Sequence, residues 1–146
     1  MTGCIVAVCV SEAKGTRKRD VGSGEFVVDH GLAGDAHAGD WHRQVSLLAL
    51  ESIAKMRAKG LAVGPGDFAE NLTTEGLDLT ALPLGTRLKF GQQAEGEVTQ
   101  IGKECHSRCA IYHQAGDCVM PREGIFIKVT APGVVRTGDT VEVVAG

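Results

Sequence analysis

Aromatic residues and positive charge are both scarce in this 146-residue sequence. Phe, Trp and Tyr make up 4% of the residues and the net charge is −3 at pH 7, with an isoelectric point near 5.9. Proteins that bind nucleic acid present a strongly basic face, so we expect no nucleic-acid partner. Long hydrophobic runs are also lacking, because the apolar stretch Cys4–Val10 is only seven residues long and no basic leader precedes it. We therefore expect a cytoplasmic protein with no membrane span and no secretory signal.

Cysteine occurs five times, an odd number. In a reducing compartment thiols stay reduced unless they bind metal or take part in chemistry, which disfavours a disulfide scaffold. The length suits one domain with its own hydrophobic core, and the sequence shows no linker, internal repeat or low-complexity stretch. We expect a single domain over residues 1–146.

Short β-branched runs separated by turns predict a mainly β fold. Cys4–Val10 is continuous and apolar, which indicates a buried strand, whereas Thr86–Phe90 alternates as a half-buried strand does. One helix is predicted over Glu51–Lys59, ending at Gly60. Further strands are predicted at Phe26–Val28, Val45–Leu50, Glu97–Ile101, Gly124–Val129 and Thr140–Val144. Strands at this spacing imply a closed or nearly closed β-barrel.

The stretch Gly102–Cys118, called the cysteine segment below, carries the strongest chemical signal. Cys105 and Cys109 lie four residues apart, and the cations Lys103 and Arg108 lie beside them. Neighbouring cations stabilise a thiolate, which makes the sulfur a nucleophile or a soft-metal ligand.

Three interpretations of these cysteines compete. They can be small buried hydrophobic residues, although the segment is polar. They can be ligands of a structural zinc ion, although paired CxxC motifs are absent; the ligands would be Cys105, Cys109 and Cys118 with His106 or His113. The third interpretation, a reactive or metal-binding thiolate in an open pocket, fits the local chemistry best.

Two other polar clusters stand out. The first surrounds Gly15 and offers charge for a phosphate, or is simply a solvated loop; it comprises Lys14, Arg17, Lys18 and Arg19. The second follows a glycine-rich loop and is predicted to line a pocket; it comprises Asp35, His37, His42 and Arg43. Two histidines at this spacing are weak evidence for zinc.

Three more polar residues call for an explanation. Glu70 and Asn71 lie between apolar neighbours, so if they are buried they must be hydrogen-bonded, and we expect a structural role for them. Arg122 precedes the Gly124 strand and is a candidate anion contact, because guanidinium binds oxyanions through two donors.

Five motifs, in this order along the chain, resemble the MOSC family, named after the C-terminal domain of molybdenum cofactor sulfurases. They are Gly31–Gly39, Arg43–Leu48, Gly66–Leu72, Ile101–His106 and Pro121–Phe126, and the resemblance runs from the first strand to the closing Gly138-Asp139. The resemblance implies a mostly antiparallel β-barrel with a few short helices, and a role in binding the molybdenum cofactor or in carrying sulfur for it. It does not extend to the pyridoxal phosphate domain of the sulfurases, so pyridoxal phosphate is not expected here.

The resemblance also assigns roles within the site. Arg108-Cys109 is similar to the Arg-Cys pair through which amidoxime-reducing relatives hold molybdenum, so Cys109 is the first choice for metal ligand or persulfide carrier. Cys105 is the second choice. The cofactor-binding candidates are Lys14, Arg17, Lys18, Arg19, Asp35, His37, Arg43, Lys103, His106, Arg108 and Arg122.

Ala110–His113 departs from the threonine-rich continuation of the amidoxime reductases, which leaves reductase activity in doubt. The alternatives are a small molybdenum-dependent reductase or sulfurtransferase, and a zinc-stabilised structural module. The expected partners are the cofactor itself, a biosynthetic protein resembling the molybdopterin adenylyltransferases, and a cysteine desulfurase.

Overall fold

The computed structural model describes residues 2–13, 17–102 and 123–145. Helix α1 spans Leu50–Ala58, and a short 3-10 helix spans Leu79–Ala81. The strands are β1 (Thr2–Val10), β2 (Arg19–Asp20), β3 (Ser23–Val27), β4 (Gly31–Leu32), β5 (Val45–Ala49), β6 (Leu72–Glu75), β7 (Arg87–Phe90), β8 (Ala94–Ile101), β9 (Ile125–Ala131), β10 (Gly133–Arg136) and β11 (Thr140–Ala145).

Seven of these strands close into a barrel, in the order β1, β6, β5, β9, β8, β7 and β11, with β11 pairing back onto β1. The pairs are antiparallel except β5 with β6, which run parallel because α1 carries the chain from one to the other. The predicted mainly β, closed and mostly antiparallel barrel is confirmed.

The hydrophobic core fills the barrel and continues into a small second sheet of β10, β3 and β4. This sheet contributes Phe26, Leu32 and Val135, and the ring of Phe26 lies 5.2 Å from that of Phe90. A separate apolar cluster joins α1 to the outside of the barrel, where Ile53 and Met56 pack with Phe126. Fully burying a side chain of this size is worth about 1.5–3 kcal/mol, so α1 is fixed to the barrel wall.

The pairings give the barrel two distinguishable ends. At the end called upper here, β1 and β9 finish while β5, β6 and β8 begin; at the lower end, β5, β6 and β8 finish and β9 begins. The cysteine segment lies between β8 and β9, and the chain leaves β8 before it and enters β9 after it at the lower end of the barrel.

Most predicted elements are present, with shifted bounds. The helix begins one residue earlier than predicted, and β8 begins at Ala94 rather than Glu97. The sequence shows Pro132-Gly133 as a turn, but Gly133 already pairs with Phe26 as the first residue of β10. Within the described residues, no helix has the length and apolar character needed to cross a membrane.

Candidate functional site

A buried ion pair lies just beyond the upper end of β1. Lys18 Nζ is 2.7 Å from Asp35 Oδ1, and neither side chain is exposed. The same ammonium donates to the hydroxyl of Ser11 at 3.0 Å and lies 3.1 Å from Nδ1 of His37. Asp35 also accepts the backbone N–H groups of Ser11 and His37, each at 3.1 Å. The four residues form one network, called the Lys18 network below, that ties the loop after β1 to the glycine-rich loop.

The charge on Asp35 is maintained by its hydrogen bonds. Burial alone would raise the pKa of this carboxyl, but hydrogen bonds from Lys18, Asn71 and the Ser11 backbone outweigh it and lower the pKa below its ordinary value. The carboxylate is therefore ionised at neutral pH and holds the Lys18 ammonium beside it.

This geometry bears on the predicted phosphate loop. Lys18 directs its ammonium into the protein, so a phosphate would have to displace Asp35 to reach it. Arg17 and Arg19 are exposed at the upper end, and Lys14 lies outside the described residues. The phosphate role of this loop stays a prediction, and it now depends on the exposed arginines and Lys14.

Glu70 and Asn71 are fully buried beside this network. Asn71 connects strands: its side chain accepts from the Ser46 backbone N–H at 3.0 Å and donates to the Cys9 carbonyl at 3.1 Å. Glu70 accepts from the Thr73 hydroxyl at 2.7 Å, yet burial raises its pKa above the ordinary value. Both residues are therefore buried and hydrogen-bonded, although Glu70 Oε1 has no hydrogen-bond partner among the described residues; the structural role expected for them stays a prediction.

A second polar cluster lies on the outer face of the barrel near its lower end. Gln100 Oε1 accepts from Arg43 Nε and is paired with His42 Nε2, each at 2.9 Å. Gln100 Nε2 donates to the carbonyl of Gly102 at 2.7 Å. Arg43 also lies over the ring of Phe126, 5.3 Å from its centroid. We call these four hydrogen-bonding residues, His42, Arg43, Gln100 and Gly102, the Gln100 clamp.

A β-bulge in β8 turns Gln100 outward. Val98 pairs with Ile127, which faces the core, but the register shifts before Gln100 pairs with Phe126 on the outer face. Without the bulge, strand alternation would place Gln100 on the same inner face as Val98. The sequence does not predict the position of Gln100, because a β-bulge cannot be detected from the alternation of apolar and polar residues.

The cysteine segment is attached to the lower end through a backbone contact. Gly102 N donates to Gly124 O at 2.6 Å, directly below the last β8–β9 pair, Ile101 with Ile125. Eight residues after Gly102 with predicted roles in the site or its alternatives lie outside the described residues: Lys103, Cys105, His106, Arg108, Cys109, His113, Cys118 and Arg122. Elsewhere, in the ranges that the structure covers, no three His, Cys, Asp or Glu side chains come together as metal ligands.

Glu123 is the first described residue after that gap, and it binds α1. Its Oε1 accepts from the Ser52 hydroxyl at 2.7 Å and from Lys55 Nζ at 2.8 Å. These side chains line a cavity of about 350 Å³ at the lower end, between the start of α1 and the loop after β6.

The two described thiols are poor nucleophiles. Cys9 is fully buried, and burial, followed by the charge of Glu70, raises its pKa to about 12. Cys4 lies in β1 with its thiol 3.8 Å from Glu75 Oε1, and burial together with that carboxylate raises its pKa. Both sulfurs therefore stay protonated at neutral pH.

Crystal structures of bacterial proteins share this fold. The YuaD protein from Bacillus subtilis is 21% identical, with a TM-score of 0.83 over 100% of this chain and 97% of that one. YiiM from Escherichia coli is 22% identical, with a TM-score of 0.68 over 100% and 71% of the two chains. YiiM from Geobacillus stearothermophilus is 21% identical, with a TM-score of 0.72 over 97% and 75%. At such identities the likeness concerns the fold alone, and no curated protein sequence matches the chain.

The family is identified by the sequence itself. The MOSC domain matches residues 34–142, a span that holds the glycine-rich loop, the Gln100 clamp and the cysteine segment. The chain therefore belongs to the MOSC domain family, which is associated with functions related to the molybdenum cofactor.

Proposed function

We propose that this protein binds the molybdenum cofactor, or carries sulfur for it, through a thiolate of the cysteine segment. The supporting observation is the state of the other thiols. Cys4 and Cys9 both have raised pKa values, and Cys9 is sealed in the core. A functional thiolate must therefore be Cys105, Cys109 or Cys118.

Among these three, Cys109 is the proposed ligand or persulfide site and Cys105 its partner. Arg108 precedes Cys109 and Lys103 lies near Cys105 in the sequence. Such cations favour thiolate over thiol, and thiolate is a ligand that suits soft metals. The sequence neighbours His106 and Arg122 are proposed to line the same site.

As a carrier, the protein would take sulfur without an external oxidant. The Cys109 thiolate attacks the terminal sulfur of a persulfide on a donor such as a cysteine desulfurase. A sulfur–sulfur bond forms on Cys109, the sulfur–sulfur bond of the donor breaks, and the donor leaves as a thiolate. A protein resembling the molybdopterin adenylyltransferases is the proposed partner on the cofactor side.

The described residues fit the phosphate of the cofactor better than its metal. Arg43 is a cation held on the barrel surface next to the attachment of the cysteine segment, whereas the proposed metal ligands lie in that segment. When bound, the cofactor would supply a molybdenum centre for redox or sulfur chemistry. The chain's own residues would bind and orient it.

Intact-protein mass spectrometry after exposure to a cysteine desulfurase and its cysteine substrate tests this proposal. We expect one added sulfur, removable by a reductant, that maps to Cys109 and is lost in Cys109→Ser. Cys4→Ser is the matched control, because Cys4 is a described thiol at the lower end of β1 with a raised pKa, and it should load as the wild type does.

Two results would contradict the proposal. One is full sulfur loading and full cofactor binding in both Cys109→Ser and Cys105→Ser. The other is stoichiometric zinc in freshly purified protein, bound by three cysteines of the segment, which would favour the structural module. Turnover by protein reconstituted with the cofactor would instead favour the reductase or sulfurtransferase alternative.

A further inference from the structure

The Gln100 clamp orients a guanidinium next to the place where the cysteine segment leaves the barrel. Arg43 is fixed at two points, by the hydrogen bond from Nε to Gln100 and by the Phe126 ring beneath its plane. Among the described residues, its two Nη groups have no hydrogen-bond partner. An immobilised guanidinium with both terminal donors open is prepared to bind an oxyanion through two parallel bonds.

The hydrogen-bond network also sets the orientation of the amide. Gly102 O can only accept, so the Gln100 group facing it must be the amide nitrogen. Gln100 Oε1 then faces both Arg43 and His42, which makes His42 Nε2 the donor of that bond. One side chain thus holds Arg43, His42 and the first residue of the cysteine segment in a fixed relation.

We propose that Arg43, with His42 beside it, is the binding site for a phosphate monoester, and that Gln100 is its positioning residue. This proposal rests on the proposed function for the identity of the ligand, namely the phosphate of the pterin cofactor. A cofactor whose metal is held by the cysteine segment needs its phosphate site near the attachment of that segment. Arg43 satisfies this condition, because Gln100 binds both Arg43 and Gly102.

The basic loop near Gly15 satisfies this condition less well. Lys18 is committed to Asp35, and the exposed Arg19 belongs to β2 at the upper end of the barrel, whereas the cysteine segment is attached at the lower end. The two candidate sites are joined through Trp41, whose Nε1 donates to the His37 carbonyl at 2.8 Å, so single substitutions in each site are needed to tell them apart.

Trp41 provides a built-in reporter. It is the only tryptophan in the sequence, it is 37% exposed, and its ring meets that of His42 edge-on at 5.9 Å. An anion binding at His42 and Arg43 should change its emission.

The test is a titration of the purified protein with inorganic phosphate at constant ionic strength, followed by Trp41 fluorescence and by phosphorus NMR linewidth. We expect saturable binding in the wild type. Arg43→Ala should weaken it by about tenfold or more, as expected for losing hydrogen bonds to a charged group. Arg43→Lys keeps the positive charge and the aliphatic part of the side chain over Phe126, but it loses the two parallel N–H donors of the guanidinium. We expect it to weaken phosphate binding several-fold while the protein stays folded.

Gln100→Met and Arg19→Ala complete the design. Gln100→Met keeps the side-chain length while freeing Arg43, and should weaken phosphate binding although it removes no cation. Arg136→Ala removes an exposed cation of β10 that belongs to neither candidate site, and it should bind phosphate as the wild type does; Arg19→Ala tests the basic loop. Unchanged binding in Arg43→Ala, or its loss in Arg19→Ala, would overturn the proposal and favour the basic loop.

Two further arms separate the possible sources of the anion. Molybdopterin released from a molybdoenzyme should compete with inorganic phosphate in the wild type. If molybdate competes and molybdopterin does not, the site binds a free oxyanion and the assignment to the cofactor phosphate is wrong. Neither arm involves the cysteines, so the sulfur-loading experiment and this one can fail independently.

Discussion

Replacing Asp35 with Asn should destabilise the protein far more than breaking an ion pair of the same length on its surface. The Lys18–Asp35 pair spans 2.7 Å with neither side chain exposed. The Lys55–Glu123 pair spans 2.8 Å, but its side chains are 63% and 23% exposed. Because the two distances are nearly equal, the difference between the two substitutions reflects burial together with the backbone bonds that Asp35 accepts.

The size of the effect follows from what the Lys18 ammonium would lose. Asp35→Asn preserves the shape, but its single amide oxygen can keep only one of the two backbone bonds, because Ser11 donates to Oδ1 and His37 donates to Oδ2. It also leaves the buried Lys18 ammonium with Ser11 Oγ and His37 Nδ1 in place of a carboxylate. Removing one partner of a buried pair costs about 3–5 kcal/mol. For a chain of about 150 residues this lowers the melting temperature by about 6–20 °C. Lys55→Met should cost less than about 1 kcal/mol.

Urea unfolding of Lys18→Met, of Asp35→Asn and of the Lys18→Met/Asp35→Asn double variant measures the coupling of the pair directly. The double variant removes the buried charge together with its partner, so it should be more stable than the sum of the single effects implies. Additive effects would refute the reasoning. So would a cost for Asp35→Asn no larger than that for Lys55→Met.

Three further predictions concern buried groups near the upper end. The pKa of Glu70 is higher in the folded state than its ordinary value of 4.5, so above pH 4.5 the folded protein holds a proton on Glu70 more tightly than the unfolded chain does. The free energy of unfolding should therefore fall as pH rises above 4.5. Glu70→Gln should remove that part of the pH dependence in urea titrations, and an unchanged pH profile would contradict the raised pKa. With a pKa of about 12, Cys9 is thiolate in only about one molecule in ten thousand at pH 8. When the folded protein is treated with a thiol-alkylating reagent, mass spectrometry should therefore find Cys9 unmodified. Modification of Cys9 as fast as the cysteines of the cysteine segment would contradict its burial. Gly66→Ala forces a Cβ at φ +88° against the backbone oxygen of Lys18, whereas the Cβ of Gly60→Ala meets open space at φ +91°. Gly60→Ala should therefore lower the stability by about 1–2 kcal/mol, and Gly66→Ala should lower it by more, as measured by thermal unfolding. Equal losses of stability would show that the close approach of Gly66 to Lys18 is unimportant.

The elements that the sequence predicted well are those whose burial repeats along the strand. β7 falls where the alternation placed it, because Leu88 and Phe90 pack one face against the core. β1 falls where its continuous apolar run placed it, because Ala7, Val8 and Cys9 are all buried. The missed strands are short: β2 and β4 have two residues each, and β6 and β10 have four each. Segments of that length have no periodicity to detect, and β4 and β10 form because their partner β3 is already in place.

The start of α1 illustrates a different limit. Ala49, its N-cap, makes no side-chain hydrogen bond to the helix, because β5 runs directly into α1. The usual N-terminal signal of Ser, Thr, Asp or Asn is therefore missing, and the predicted start at Glu51 is one residue late. The end of the helix is also one residue off, at Ala58 rather than Lys59, and Gly60 follows it with a positive φ as expected of a terminating glycine.

The polar residues show where sequence reasoning stops. A run of charges predicts a solvated loop, yet Lys18 is buried because Asp35, 17 residues further along the chain, supplies its counter-charge. That pairing depends on how two loops meet above the barrel. Gln100 escaped notice for an equally non-local reason, since only the β-bulge opposite Phe126 reveals which face it occupies.

The two polar networks differ in what they can do for a ligand. In the Lys18 network the ammonium, the carboxylate and two backbone N–H groups already bind one another, so opening it to a ligand would expose a buried charge. In the Gln100 clamp the amide oxygen already accepts from Arg43 and His42, while the terminal nitrogens of Arg43 have no hydrogen-bond partner among the described residues. The buried Lys18–Asp35 pair, whose charges neutralise each other, holds two loops in place. Arg43 is held by neutral groups, so its positive charge remains available to an incoming anion. Ligand binding should therefore depend on Arg43 and folding on Asp35, and the urea and phosphate titrations of those two variants measure the two dependences separately.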